Sequence, residues 1–178
     1  MSKPELVLKP RPKETTMMTN ALEAKAEVAS LYRGMQELLG GDWIDDTHNW
    51  GPCYMLDGSE GVSYSMFSIR RSQPLPAPPK RIAEQAQAIW ARFGHRVEIE
   101  YNDVMRPPRH VLSEPRLLAG SKPDGLLIQF TVGEDYADFT ANSRCVLGDQ
   151  EKLNLLEVDA NPGIEATPVP GAARRRAE

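Results

Sequence analysis

Two cysteines, Cys53 and Cys145, constrain this chain more than any other pair of residues. Each lies on, or at the end of, a stretch that reads as a β-strand, one near the start of the patterned region and one near its end. Cys145 follows Cys53 by 92 residues, so a bridge between them would close most of the domain into one loop. In the chain-entropy account such a loop contributes about 4.5 kcal/mol through the unfolded state. Disulfides persist in oxidising compartments, so a bridged pair predicts an exported protein. Residues 1–17 predict the opposite, because they lack the apolar segment of a secretory signal. The compartment stays open on these grounds: cytoplasmic from the N-terminus, extracytoplasmic from a bridged pair.

The 178 residues fit one domain with tails. Residues 1–17, with Pro4, Pro10 and Pro12 among Lys3, Lys9, Arg11 and Lys13, read as a flexible solvated arm, and Met17 and Met18 are alternative starts. Residues 18–148 read as a single domain. Residues 149–178 read as a largely disordered tail, rich in Pro, Ala and Gly beyond Asn161 and ending in Arg174-Arg175-Arg176. Few large apolar groups there can offset chain entropy. The charge balance of 21 basic and 25 acidic residues gives −4, which leaves no electrostatic footprint for nucleic acid. Apolar runs such as Leu126-Leu127-Ile128 are too short to span a membrane.

Periodicity sets the fold class. Ala24, Val28, Leu31, Met35 and Leu38 recur at helical spacing, which predicts a helix over 20–39 opened by Asn20 with Glu23 and stopped by Gly40-Gly41. Gly34, inside that helix, marks a place where something packs closely. Residues 42–50 read as an Asp- and Trp-rich loop. Strands follow at Cys53–Asp57 and Val62–Arg71 around a glycine-flanked turn. In the second strand the apolar residues change face between Met66 and Phe67, which predicts a bulge or a strand covered on both sides. Four prolines (74, 76, 78 and 79) lead into a second helix at about 78–93. Strands then read at His95–Tyr101, Leu126–Val132 and Tyr136–Val146, and residues 102–124 form an irregular connection in which Arg109–Leu112 and Arg116–Ala119 could be short strands. The order α-β-β-α-β-β-β predicts an α+β two-layer sandwich: a mostly antiparallel sheet of about five strands with two helices on one face.

Chemical groups are sparse. His48, His95 and His110 sit in no metal-binding spacing, and no nucleophile elbow or glycine-rich phosphate loop occurs. No cofactor or metal is expected. The best catalytic candidate is Asp45-Asp46-Thr47-His48, where two carboxylates and an imidazole could hold a divalent metal or move protons. Adjacent carboxylates on extended chain point apart, however, which favours a solvated loop. Glu134, Asp135 and Asp138 read as a polar turn before a cation site. Trp43 and Trp50 read as closing the helix–sheet core before anchoring a ligand. Residues 104–118 place Arg106, Arg109, His110 and Arg116 among apolar side chains, which makes those four the candidate contacts for a protein partner.

The first helix, the Trp-containing loop, the Gly51-Pro52-Cys53 step, the Asp57-Gly58-x-x-Gly61 turn, the helix ending at Gly94, its following strand and the closing Ser143-Arg144-Cys145 form a pattern. It resembles the small actinobacterial lipoproteins of the mycobacterial LppA-like type over residues 20–147. The resemblance implies a two-layer domain with a Cys53–Cys145 bridge, displayed outside the membrane and without known catalysis. Membrane anchoring does not carry over, because no lipid-accepting cysteine follows an apolar segment here. The connection at 102–124 is also longer than the family needs. The expectation is a non-enzymatic protein-binding module, envelope-facing or immunity-like, of actinobacterial or actinophage origin. The alternatives are a small metal-dependent hydrolase built on Asp45, Asp46 and His48, and a structural component of a larger assembly. Oligomeric state is not legible.

Overall fold

The computed structural model describes residues 13–104, 106–117 and 119–160. The chain folds as α1 (Glu14–Leu39), β1 (Ile44–Tyr54), β2 (Glu60–Arg71), α2 (Pro79–Arg92), β3 (Ile99–Asn102), β4 (Arg109–Glu114), β5 (Leu127–Val132), β6 (Tyr136–Asn142) and α3 (Gln150–Ala160). The six strands form one sheet in the order β1-β2-β6-β5-β4-β3, antiparallel throughout. All three helices cover the same face. The α+β two-layer class is as the periodicity predicts, with one more strand and one more helix.

The first helix obeys its apolar stripe: Val28, Leu31 and Met35 are fully buried. It starts at Glu14, inside the predicted arm and six residues before Asn20, so the Asn20 capping reading is overturned. The early turns gain partners that the local sequence does not reveal. Met18 packs against the core, and Glu14 forms an ion pair with Lys152 of α3. Gly34 is the close contact between α1 and α2, since a Cβ there would lie 3.0 Å from Ile89 Cγ2. Helix α2 opens on Pro79, where a missing N–H leaves no helical bond unmade, and buries Ile82, Ala83, Ala86 and Trp90.

Residues 44–52, predicted as loop, are strand. Asp and Asn disfavour strands locally, but pairing with β2 from Ile44↔Ile69 to Tyr54↔Glu60 overrides that preference, with Asp46 as the one bulged residue. The bulge thus lies on β1, not on β2. Strand β2 keeps a single inward face of Val62, Tyr64, Met66, Ser68 and Arg70. The change of face read from the sequence arises because its last two inward residues are polar, while Phe67 and Ile69 point outward.

Arg70 is buried and bonds only carbonyls: Nε to Gly40 O at 2.9 Å, Nη1 to Gln73 O at 3.2 Å and Nη2 to Pro74 O at 3.0 Å. It closes the C-terminus of α1, where unpaired carbonyls and the helix dipole favour a cation. Within the irregular connection, Arg109–Glu114 is the sixth strand, pairing β3 with β5. Arg116–Ala119 is a turn, closed by Ala119 N–H on Arg116 O.

Residues 149–160 differ from the predicted tail. Asp149 accepts the Lys152 N–H at the start of α3, a helix-opening contact. Leu153 is buried in the core, and Lys25 of α1 pairs with Glu157. Residues 1–12 of the predicted arm and 161–178 of the predicted tail lie outside the described residues. Among the described residues, no helix is long and apolar enough to cross a membrane.

Candidate functional site

Strand alternation sorts the chemistry-bearing residues onto two faces. On the helix-covered face, β1 turns Asp45 and His48 inward against Ser68 of β2 and Tyr32 of α1. Asp45 Oδ1 accepts from the Tyr32 hydroxyl at 2.6 Å and from Ser68 Oγ at 2.7 Å. His48 Nε2 lies 3.0 Å from Ser68 Oγ and 3.4 Å from Asp45 Oδ1. The bulge carries Asp46 away from this group, so the two adjacent carboxylates do not converge.

Aspartate, histidine and serine meet here, yet not in the order that nucleophilic catalysis needs. There the base must take the serine proton while the carboxylate holds the far ring nitrogen. Here the serine hydroxyl already donates to the carboxylate, the same ring nitrogen faces both groups, and Ser68 has no exposed surface. Burial pushes the His48 imidazole below its usual value, opposed by the Asp45 and Glu157 charges. Burial also pushes the Tyr32 hydroxyl well up, helped by its bond to Asp45. The cluster is a set of mutually satisfied polar groups that seat α1 on the sheet. Among the described residues, no group of three or more His, Cys, Asp or Glu side chains could hold a metal ion.

A second polar network lies at the other end of the helix layer, and no spacing in the sequence announces it. Buried His95 sits 2.5 Å from Glu114 Oε2 through Nδ1 and 3.5 Å from Glu27 Oε1 through Nε2. Glu27 takes a fork of two bonds from Arg144, at 2.9 and 3.0 Å, and Arg144 also pairs with Asp124. Lys122 pairs with Glu114. Burial alone would raise the Glu114 carboxyl, but hydrogen bonds from Lys122 and His95 hold it below its usual value. These six residues tie the connection after β4 to α1 and to the segment carrying Cys145.

Cys53 and Cys145 are joined by a disulfide. It links the end of β1 to the segment beyond β6, across the β2 position where Gly61 lies. A Cβ on Gly61 would come within 2.9 Å of Cys145 Sγ and 2.7 Å of the Val146 carbonyl, so only glycine fits under the bridge.

The four arginine and histidine candidates of the long connection do not share one surface. Arg109 lies on the outward face. His110, its neighbour on β4, points to the helix side, with its ring 4.8 Å from Tyr101. Burial lowers the His110 imidazole below its usual value, with the Lys80 charge adding to that and Glu84 opposing it. Arg116 bonds Glu100 at 2.7 Å at the sheet edge. Arg106 bonds the Asp103 carbonyl at 3.1 Å. Trp50 is buried and Trp43 packs against the core, each beside a tyrosine ring, as the core reading expects.

The outward face of the sheet is the open surface of the molecule. No described helix packs on it. At one end, Phe67 and Ile69 of β2 and Tyr136 of β6 form an apolar floor beside Arg71, Arg109 and Asp138, in a hollow of about 440 Å³. Burial pushes the Asp138 carboxyl above its usual value, against the pull of a Thr131 bond and the Arg109 and Arg71 charges. Glu134 and Asp135 stand exposed in the β5–β6 turn. The apolar floor was hidden in the sequence by the apparent change of face in β2.

No protein-family model matches the chain, and no curated protein matches it. Among solved structures, the crystal structure of a DUF4853 family protein from Actinomyces odontolyticus is similar at 14% identity and a TM-score of 0.42, over 91% of this chain and 80% of that one. A likeness at that level carries no argument about this chain.

Proposed function

We propose that the chain is a non-enzymatic protein-binding module that works outside the cytoplasm, of the envelope-facing or immunity-like kind found in actinobacteria and their phages. The observation that carries the reading is the uncovered outward face of the sheet, where Phe67, Ile69 and Tyr136 lie between Arg71 and Arg109. Aromatic and aliphatic side chains flanked by arginine are what the centre of a protein interface uses. The disulfide supports an oxidising compartment, and the resemblance to LppA-like lipoproteins points the same way.

The test compares binding of envelope proteins to the disulfide-intact chain, to Phe67→Glu with Ile69→Glu, and to Leu155→Glu on the far side of α3. Thermal unfolding of each variant confirms folding. A partner retained by the wild type and by Leu155→Glu, lost by the double variant, and rebinding as a purified protein supports the reading. A turnover that disappears in Asp45→Ala or His48→Ala would replace it with the hydrolase.

A further inference from the structure

The opposite end of the outward face holds a second concave site, and it goes beyond the protein-binding reading. A groove of about 380 Å³ runs past the disulfide between β1, β2, the end of β6 and the segment 121–125. Its polar groups are Ser63, Ser65, Ser121 and Asn142, with Tyr54 at one side. The Ser65 hydroxyl donates to Asn142 Oδ1 at 2.8 Å, which fixes the amide so that its two N–H donors have no acceptor among the described residues. The hydroxyls of Ser63 and Ser121 have no partner among the described residues either. Tyr54 is 73% exposed, a large aromatic face left in water.

Charge narrows the ligand class. No carboxylate lines the groove, and its one cation, Lys122, is already paired with Glu114. An anion would find no free positive group, and a cation no negative one. The remaining offer is hydroxyl and amide hydrogen bonding beside an aromatic plane. That combination suits a molecule dense in hydroxyls with an apolar ring face. The walls are also stiff: Pro52, Pro123 and the disulfide leave few rotamers to freeze on binding, so less entropy is lost. We infer that this groove binds a neutral oligosaccharide, with Tyr54 stacking on one sugar ring and Asn142, Ser63 and Ser65 bonding its hydroxyls.

The test is a backbone-amide NMR titration of the disulfide-intact full chain with chitotetraose and, separately, maltotetraose. The expected result is a saturable shift confined to residues 52–54, 63–65, 121–125 and 142 with at least one of them. Tyr54→Ala, exposed and remote from the core, should weaken that binding about tenfold, the loss of one aromatic contact. Ser63→Trp should block it by filling the groove. The proposal is overturned by no shift with either sugar up to about 10 mM, by shifts mapping elsewhere, or by equal affinity in Tyr54→Ala. Because the apolar floor at Phe67 is untouched, Phe67→Glu should bind sugar normally, so this result and the protein-binding result can fail separately.

Discussion

The side-chain amide of Asn154 closes a two-bond ring with the main chain of Trp50, accepting its N–H at 2.9 Å and donating to its carbonyl at 3.1 Å. Trp50 lies opposite Tyr64, whose own N–H and carbonyl are taken by Ser143. The Trp50 groups therefore face outward along the free edge of β1, where an unpaired strand invites pairing with another chain. A helix side chain stands in for the missing strand. Pro52, two residues on, removes the next outward donor, and the Asp46 bulge breaks the edge further along. Replacing Asn154 with Leu should lower stability by about 1–2 kcal/mol and raise self-association. Urea unfolding and light scattering at increasing concentration check both, and an unchanged variant would mean that the edge is guarded by α3 packing alone.

The disulfide should account for a large share of stability. Its 92-residue loop corresponds to about 4.5 kcal/mol in the chain-entropy account. Reduction should move the urea midpoint down sharply, and Cys53→Ala with Cys145→Ala should reproduce the reduced protein. A midpoint indifferent to reductant would make the bridge incidental to folding.

Arg70 offers a different kind of anchor, since its three partners are neutral carbonyls. Arg70→Met should cost about 2–3 kcal/mol by leaving the Gly40 and Pro74 carbonyls without their donor. Because no carboxylate takes part in those bonds, the loss should be the same at low and high salt, unlike that of a surface ion pair. Unfolding titrations at two ionic strengths separate the cases.

Two outward and inward groups should give opposite pH behaviour. Burial lowers the His48 imidazole, so the folded state favours its neutral form. Its contribution is complete above the unfolded value of about 6.5 and is lost as the pH falls through the lower folded value. His48→Gln should flatten the stability profile on the acid side of that point. Asp138 is shifted upward by burial, so its contribution is complete below the unfolded value of about 3.9 and is lost as the pH rises through the folded value. Asp138→Asn should therefore stabilise the protein at neutral pH and have little effect in strong acid. A destabilised Asp138→Asn at pH 7 would show that the Arg71 and Arg109 charges outweigh burial.

Much of the fold was legible because both helices and three strands carry strict apolar periods. The α1 stripe from Ala24 to Leu38 and the alternation of Leu126, Ile128, Phe130 and Val132 name their buried faces directly. Strand β1 was hidden, because Asp45, Asp46 and Asn49 disfavour strands and only pairing with β2 holds them extended. Helix α3 was hidden by its setting in a polar, Pro-rich end of the chain. Its Asp149 opening and Leu153 are ordinary signals, but their meaning depends on Val62 and Trp50 standing opposite. The open face was misread at Met66–Phe67 because apolarity marks burial only where polar residues stay outside, and Ser68 and Arg70 do not.

What the sequence by itself determined was the set of periodic elements, their order and the cysteines able to clasp them. Tertiary structure decided which polar groups meet. Asp45 with Ser68 and Tyr32, His95 with Glu114 and Glu27, and Asn154 with Trp50 are all brought together by packing across different elements. The physical reason is that apolar burial follows local period, so it is written along the chain. A hydrogen bond instead needs two specific atoms within about 3 Å, and only the folded geometry supplies that distance between residues far apart in sequence.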